Sequence, residues 1–213
     1  MWSQWFPMLR NINQKRHAIT LIFWKFYYEG FFRLHGFPFK KNWQINGTPF
    51  LRTYPGSRIE IGHRLVLTSN LVANPIGVIQ PVFLRVEANA YLKIGNDVGI
   101  SGSSISVAQE VTIGSEVLIG SGVLIMDNDM HQLDPINRRY STENIANAPV
   151  HIGDKVFIGA RSIVLKGVQI GNGSVIGAGS VVSSDIPSMC IAVGNPARVV
   201  KRLSDFKNDF CAS

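Results

Sequence analysis

From Val150 to Val182 an aliphatic residue returns every six positions without a slip: Ile152, Ile158, Val164, Ile170, Ile176 and Val182. A second ladder leads it by two positions, through Val150, Val156, Ser162, Val168, Ser174 and Ser180, and glycine follows the aliphatic residue at Gly153, Gly159, Gly171 and Gly177. A period of six fits neither the 3.6-residue face of a helix nor a simple alternating strand, although each hexad can hold a short strand and a turn. With one aliphatic side chain inward per hexad and a small residue beside it, three sides close a triangular coil. Successive coils then bury one another's faces, so the core grows along one axis. The segment predicts about two coils of a parallel β-helix in an all-β repeat protein.

Upstream, Ile59-Glu60-Ile61-Gly62 opens the repeat and Leu67 continues it, whereas residues 70–84, with Pro75 and Pro81, are irregular. The ladder resumes at Ile94 and Ile100 and slips by one residue near Ser106 and Val107. It then runs strictly through Ile113, Ile119 and Ile125, each led by Val111, Val117 or Val123. After Ile125 it stops. Residues 127–149 are polar and turn-rich, and a loop of this length inside a compact repeat is more often functional than idle. It carries His131 among Asp127, Asp129 and Asp134. These boundaries predict a repeat domain over 59–186 with an extruded loop at 127–149, and a tail over 187–213 containing a short helix.

The net charge of +7 is unevenly placed: residues 1–59 hold nine Lys/Arg against Glu29 alone, while residues 60–213 are close to neutral. All four tryptophans, Trp2, Trp5, Trp24 and Trp43, lie in this basic, aromatic N-terminal extension, assigned to residues 1–58. Between Ala18 and Leu34 the charges Lys25, Glu29 and Arg33 recur every four residues, so a helix there has one narrow charged stripe and an otherwise apolar girth that must be covered. Lys25 and Glu29 interrupt the apolar run well short of the roughly 20 residues a spanning helix needs. An interfacial helix on anionic lipid, through residues 1–40, and a helix packed on the β-helix or a neighbouring subunit both suit the composition. No nucleic-acid-binding motif accompanies the charge. Cys190 and Cys211 are too few for a disulfide framework, which fits a reducing compartment, and no secretory signal pattern opens the chain. A cytoplasmic protein, associated with the inner face of the membrane through the extension, is the expected location.

The order of hexads, the loop motif HxLDPxxR (His131, Leu133, Asp134, Pro135, Arg138), the return APVHIGDKVFIGARSIVLKGVQIGNGSVIGAGSVV and the tail VGNPARVVKRL together resemble the hexapeptide-repeat acetyltransferases. Within them the chain is similar to the maltose/galactoside O-acetyltransferases and to those of bacterial surface-polysaccharide clusters. The resemblance covers about residues 86–203. It implies a left-handed β-helix assembled as a homotrimer, with acetyl-CoA in a groove between subunits and a carbohydrate acceptor.

On that resemblance His131 is the catalytic general base. A neutral imidazole can take the proton of a sugar hydroxyl as its oxygen attacks the thioester carbonyl. A base also needs its second ring nitrogen held, and Asp129 and Asp127 are the local carboxylates, with a backbone carbonyl as an equal alternative. Gly120, Phe157, Ala160 and Ala178 fall along the expected thioester and pantetheine groove, Phe157 standing where relatives often carry Trp. In the tail, Pro196 would bracket the adenine, and Arg198, Lys201 or Lys166 would meet phosphate. One departure bears on those assignments: where many relatives place a basic residue before Asp, this chain reads Val182-Ser183-Ser184-Asp185.

The leading expectation is therefore an acetyl-CoA-dependent O-acetyltransferase of a surface-polysaccharide sugar or its lipid-linked precursor, transferring acetyl directly. N-acetylation of an amino sugar on a nucleotide carrier, acetylation of a small soluble sugar or antibiotic, and a catalytically silent scaffold remain as alternatives. Zinc-dependent β-helices need three converging histidines, whereas His63, His131 and His151 lack short ligand spacing, so no metal is expected.

Overall fold

The computed structural model describes residue 24 and residues 26–71 and 73–203 of the chain. The expectations placed on Trp2, Trp5, Lys25, Cys211 and the rest of 1–23 and 204–213 lie outside these residues. The chain divides into two units, Met1–Lys41 and Asn42–Ser213.

In the first unit, Trp24 and residues 26–34 are helical. Glu29 and Arg33 form the expected i,i+4 ion pair at 2.7 Å. Tyr28, Phe32 and Phe37 are buried, with Phe32 edge-on to Phe37, whereas Trp24, Phe26, Tyr27 and Leu34 are exposed. No helix among the described residues is long and apolar enough to cross a membrane.

The second unit is a three-faced parallel β-helix. Its strands are β1 (Gln44–Asn46), β2 (Phe50–Thr53), β3 (Arg58–Ile61), β4 (Val66–Thr68), β5 (Phe83–Val86), β6 (Tyr91–Ile94), β7 (Gly99–Ser101), β8 (Ser104–Val107) and β9 (Glu110–Ile113). They continue as β10 (Leu118–Ile119), β11 (Leu124–Met126), β12 (Val150–Ile152), β13 (Phe157–Ile158), β14 (Ile163–Val164), β15 (Gln169–Ile170), β16 (Val175–Ile176), β17 (Val181–Val182), β18 (Cys190–Val193) and β19 (Arg198–Arg202). As far as β17, every third strand joins the same sheet. Sheet A runs β1-β4-β7-β10-β13-β16-β18-β19, sheet B is β2-β5-β8-β11-β14-β17, and sheet C is β3-β6-β9-β12-β15. All pairings are parallel except β18 with β19.

The coil thus begins at Gln44, earlier than the Ile59 start read from the ladder, so the assigned extension 1–58 contains the first two strands. The reason is side length. In that coil the inward residues Leu51 and Ile61 stand ten positions apart, not six, so the hexad register is hidden although both are buried. The first part of the tail, residues 190–202, is a β-hairpin, with Gly194-Asn195-Pro196-Ala197 making the turn through a cis Asn195–Pro196 bond. The remainder of the tail from residue 204, to which the expected short helix would then fall, lies outside the described residues. Val199 and Val200 suit the strand that follows.

Both ladders of the repeat point into the core. Ile152, Ile158, Val164, Ile170, Ile176 and Val182 are buried, and so are Val150, Val156, Ser162, Val168, Ser174 and Ser180. The buried serines keep their hydroxyls satisfied by donating to corner carbonyls: Ser162 to Gly159 O (2.8 Å), Ser174 to Pro187 O (2.7 Å) and Ser180 to Gly177 O (2.6 Å). A buried hydroxyl without such a partner would be costly, which restricts polar residues in this ladder to those small enough to reach the corner. The outward face of sheet A carries an apolar column in register, Val66–Gly99–Leu118–Phe157–Val175–Ile191, in which Leu118 and Phe157 are exposed.

Two segments leave the coils. Residues 69–82 leave between β4 of sheet A and β5 of sheet B, and residues 127–149 between β11 of sheet B and β12 of sheet C. The second is the loop anticipated from the break in the ladder.

Candidate active site

The loop is anchored at its base by backbone bonds that run back across it. Ala148 N donates to Asp127 O (2.8 Å), Asp129 N to Ala146 O (3.0 Å), and Asn128 and Asn147 form an antiparallel bridge. Asp127 is fully buried. Its carboxylate accepts from the N–H groups of Ala108 (2.7 Å), Gln109 (2.7 Å) and Glu110 (2.8 Å), and from Asn128 Nδ2 (3.0 Å). It therefore closes the sheet B to sheet C corner of the coil below, where the one-residue slip of the repeat falls. With both oxygens engaged, Asp127 is a structural cap and leaves Asp129 as the local carboxylate beside His131.

Asp129, Met130 and His131 make a tight turn. His131 N donates to Asp129 O at 2.7 Å across Met130, whose φ is 61°. An i to i+2 turn with positive φ at a non-glycine residue is rare and strained, and such conformations persist where surrounding contacts impose them. Here they are imposed by Asn128 Oδ1, which accepts from Met130 N (2.9 Å), and by the Ala146 bond. His131 is exposed at the outer end of the turn, and its ring has no hydrogen bond among the described residues. Asp129 Oδ1 lies 2.6 Å from Lys166 Nζ, while Asp129 Oδ2 is buried without a hydrogen-bond partner among the described residues. Beyond His131 the loop folds on itself: Gln132 is buried, Asp134 Oδ1 accepts from Ile136 N (2.8 Å), and Arg138 donates to Leu133 O.

The other sequence-derived residues gather elsewhere. Gly120, Ala160 and Ala178 follow β10, β13 and β16, so they lie on the sheet A to sheet B corner, with Phe157 on the adjoining outward face of sheet A. A cleft of about 550 Å³ runs along that face, lined among others by Leu118, Gly120, Phe157, Thr68 and Ser101. The strand register aligns this corner. Ile119, Ile158 and Ile176 are partners, so Gly120 aligns with Gly159 and Gly177. Ser121, two places on from the core isoleucine, is the residue in register with Ala160 and Ala178.

The width of sheet B separates this corner from His131, roughly 10–20 Å at 3.3 Å per residue. A single chain thus keeps two groups of candidate residues apart: those along the cleft at one corner, and His131, Asp129 and Lys166 at the next. Pro196, Arg198 and Lys201 lie on the terminal hairpin beyond the last coil, Arg198 exposed. Among the described residues no group of three or more His, Cys, Asp or Glu could hold a metal ion. His63 and His151 bond locally, to Asn42 Nδ2 (3.2 Å) and Thr112 Oγ1 (2.7 Å).

The fold and the loop define a hexapeptide-repeat β-helix similar to the acetyltransferases built on that repeat. Residues 149–184 match the family model described as the hexapeptide repeat of succinyl-transferase. A Staphylococcus aureus (strain COL) protein named as a candidate acetyltransferase is 49% identical over 72 residues, which are 33% of this chain and 36% of that protein. The chain therefore spans about a third of the length of the curated relatives it matches. Among solved structures, a hexapeptide-repeat acetyltransferase from Vibrio cholerae O1 biovar eltor, complexed with acetyl coenzyme A, aligns with a TM-score of 0.53 at 27% identity, over 70% of this chain and 72% of that one. A galactoside acetyltransferase in complex with coenzyme A aligns with a TM-score of 0.54 at 28% identity, over 71% and 67%.

Proposed function

We propose that this protein is an acetyl-CoA-dependent O-acetyltransferase that transfers acetyl to a sugar hydroxyl of a bacterial surface polysaccharide or its lipid-linked precursor. The observation that carries this reading is the loop turn, which presents an exposed His131 with a free ring beside Asp129. In the reaction His131 takes the hydroxyl proton while the sugar oxygen attacks the thioester carbonyl. The C–O bond forms, the C–S bond breaks, and the departing thiolate receives the proton from the imidazolium. No acyl-enzyme intermediate is needed.

The separation of the two groups of candidate residues supports assembly. A homotrimer of left-handed β-helices would set the cleft of one subunit, with Gly120, Phe157, Ala160 and Ala178, against the loop of the next, and closed cyclic symmetry suits a groove shared between identical chains. Small side chains at that corner would leave backbone N–H groups open to the developing oxyanion. Pro196, Arg198 and Lys201 would receive the nucleotide end of the cofactor. Exposed Phe26 and Leu34 near Arg33 support peripheral contact with the cytoplasmic membrane face, where lipid-linked acceptors are assembled.

Replacing His131 with Ala should abolish acetyl transfer while acetyl-CoA still raises the unfolding temperature. Activity persisting in that variant would overturn the mechanism, and absence of any protection by acetyl-CoA in the unmodified protein would favour a silent scaffold.

A further inference from the structure

We infer that Lys166 is a positioning residue for the general base, acting through Asp129, and not a partner of the cofactor's phosphates. The inference rests on the reading of His131 given above. Lys166 stands in the turn between β14 and β15, on the sheet B to sheet C corner, one coil beyond the base of the loop. The nucleotide-binding candidates Pro196, Arg198 and Lys201 lie on the terminal hairpin that extends sheet A.

The ion pair itself is part-buried, Lys166 keeping 31% and Asp129 19% of side-chain exposure. Charges held out of water in this way attract more strongly than a surface pair and are screened less. Lys166 engages Oδ1 and leaves Oδ2 as the one carboxylate oxygen without a donor, in a place closed to solvent. A buried acceptor in that condition is costly unless a donor reaches it. His131 is two residues along the same turn and has an unengaged ring. A histidine acting as base needs one nitrogen free and the proton on the other held by an acceptor, so Oδ2 is the acceptor that the chemistry requires. By occupying Oδ1, Lys166 selects which oxygen remains and fixes the carboxylate plane.

The backbone reinforces this. Gly167 N donates to Ala148 O (3.0 Å), and Ala148 N to Asp127 O (2.8 Å), so the turn that carries Lys166 is fastened to both strands of the loop base. Turning Lys166 toward a phosphate would leave both Asp129 oxygens without a partner.

Steady-state kinetics of the full chain with acetyl-CoA and an accepted sugar test the assignment. Lys166→Met should lower kcat by about 10–100-fold, the loss that follows removal of an outer partner behind a metal-bound histidine, with KM for acetyl-CoA within about twofold of the unmodified protein. Lys166→Arg should restore most of the rate. Asp129→Asn should lose a comparable factor, and the double variant Lys166→Met/Asp129→Asn no more than Asp129→Asn alone, because the two act as one unit. A raised KM for acetyl-CoA with kcat retained would overturn the inference in favour of phosphate contact. Equal rate losses in Lys166→Met and Lys166→Arg, accompanied by a lowered unfolding midpoint, would overturn it in favour of a purely structural tie. If His131→Ala is inactive while Lys166→Met is fully active, only the role of Lys166 fails; if His131→Ala is active, the general-base reading fails independently.

Discussion

Two glycines on one corner separate the cost of space from the cost of backbone conformation. At Gly159 the backbone φ is ordinary, but a Cβ would lie 2.5 Å from Ala178 N and 2.8 Å from both Ala178 Cα and Ile176 O, all backbone atoms of the coil above. Since carbon contacts settle near 3.5–4.0 Å, the coils would have to part by roughly 1 Å there. They are held by a ladder that includes Gly159 N donating to Ile176 O at 2.7 Å. Overpacking of about 1–3 kcal/mol, with a weakened bond of about 1 kcal/mol, gives a loss near 3 kcal/mol for Gly159→Ala. At Gly179 nothing lies within 4 Å of the added atom, and the cost is the left-handed φ of +72°, about 1–2 kcal/mol for an L residue. For a chain of this size those losses correspond to drops in Tm of about 9 °C and about 4 °C. Circular dichroism melts at one protein concentration and one scan rate compare them. If Gly179→Ala proves the more damaging, close stacking of coils is not what dictates glycine at Gly159.

Two further substitutions probe single groups. Asp127→Ala strands three backbone N–H donors and should cost about 3 kcal/mol or more; a loss under about 1 kcal/mol would refute its role as the cap of the coil below. The Arg64 guanidinium, bonded to both carboxylate oxygens of Asp97, holds that carboxyl below the usual aspartate range. A depressed folded pKa contributes stability above the unfolded value and loses it as pH falls through the folded one, so any effect of this exposed pair is confined to acid pH. Arg64→Met should let the Asp97 carboxyl titrate at higher pH by NMR, and an unchanged midpoint would contradict the pairing.

The ladder from Ile152 to Val182 was legible because each side there has the same length, and the side chains named from it are the buried ones. Where a side lengthens, as between Leu51 and Ile61, the inward residues remain but their spacing no longer announces them, and the start of the coil was placed too late. The hairpin at 190–202 was missed for another reason: its second strand runs antiparallel to a strand already in the stack, which no period can encode. At the site, His131 and Asp129 stood out because the repeat breaks beside them. The different duties of Asp127 and Asp129 could not be read from their neighbouring positions. One turns into the corner beneath and meets three N–H groups, the other toward Lys166, thirty-seven residues on.

A stack of parallel coils is in effect a polymer, and nothing in its repeating unit says where growth should stop. Each terminal coil offers unpaired backbone donors and acceptors to another chain. In this protein β19 turns back antiparallel on β18 at the C-terminal end of sheet A, while sheets B and C finish in the two-residue strands β17 and β15. The reversal changes the direction in which the last edge presents its groups, so that a further coil of the same sense finds no matching register on that face. The end of the parallel stack on this sheet is thereby written into topology: a reversed strand acts as the terminator of a self-templating surface.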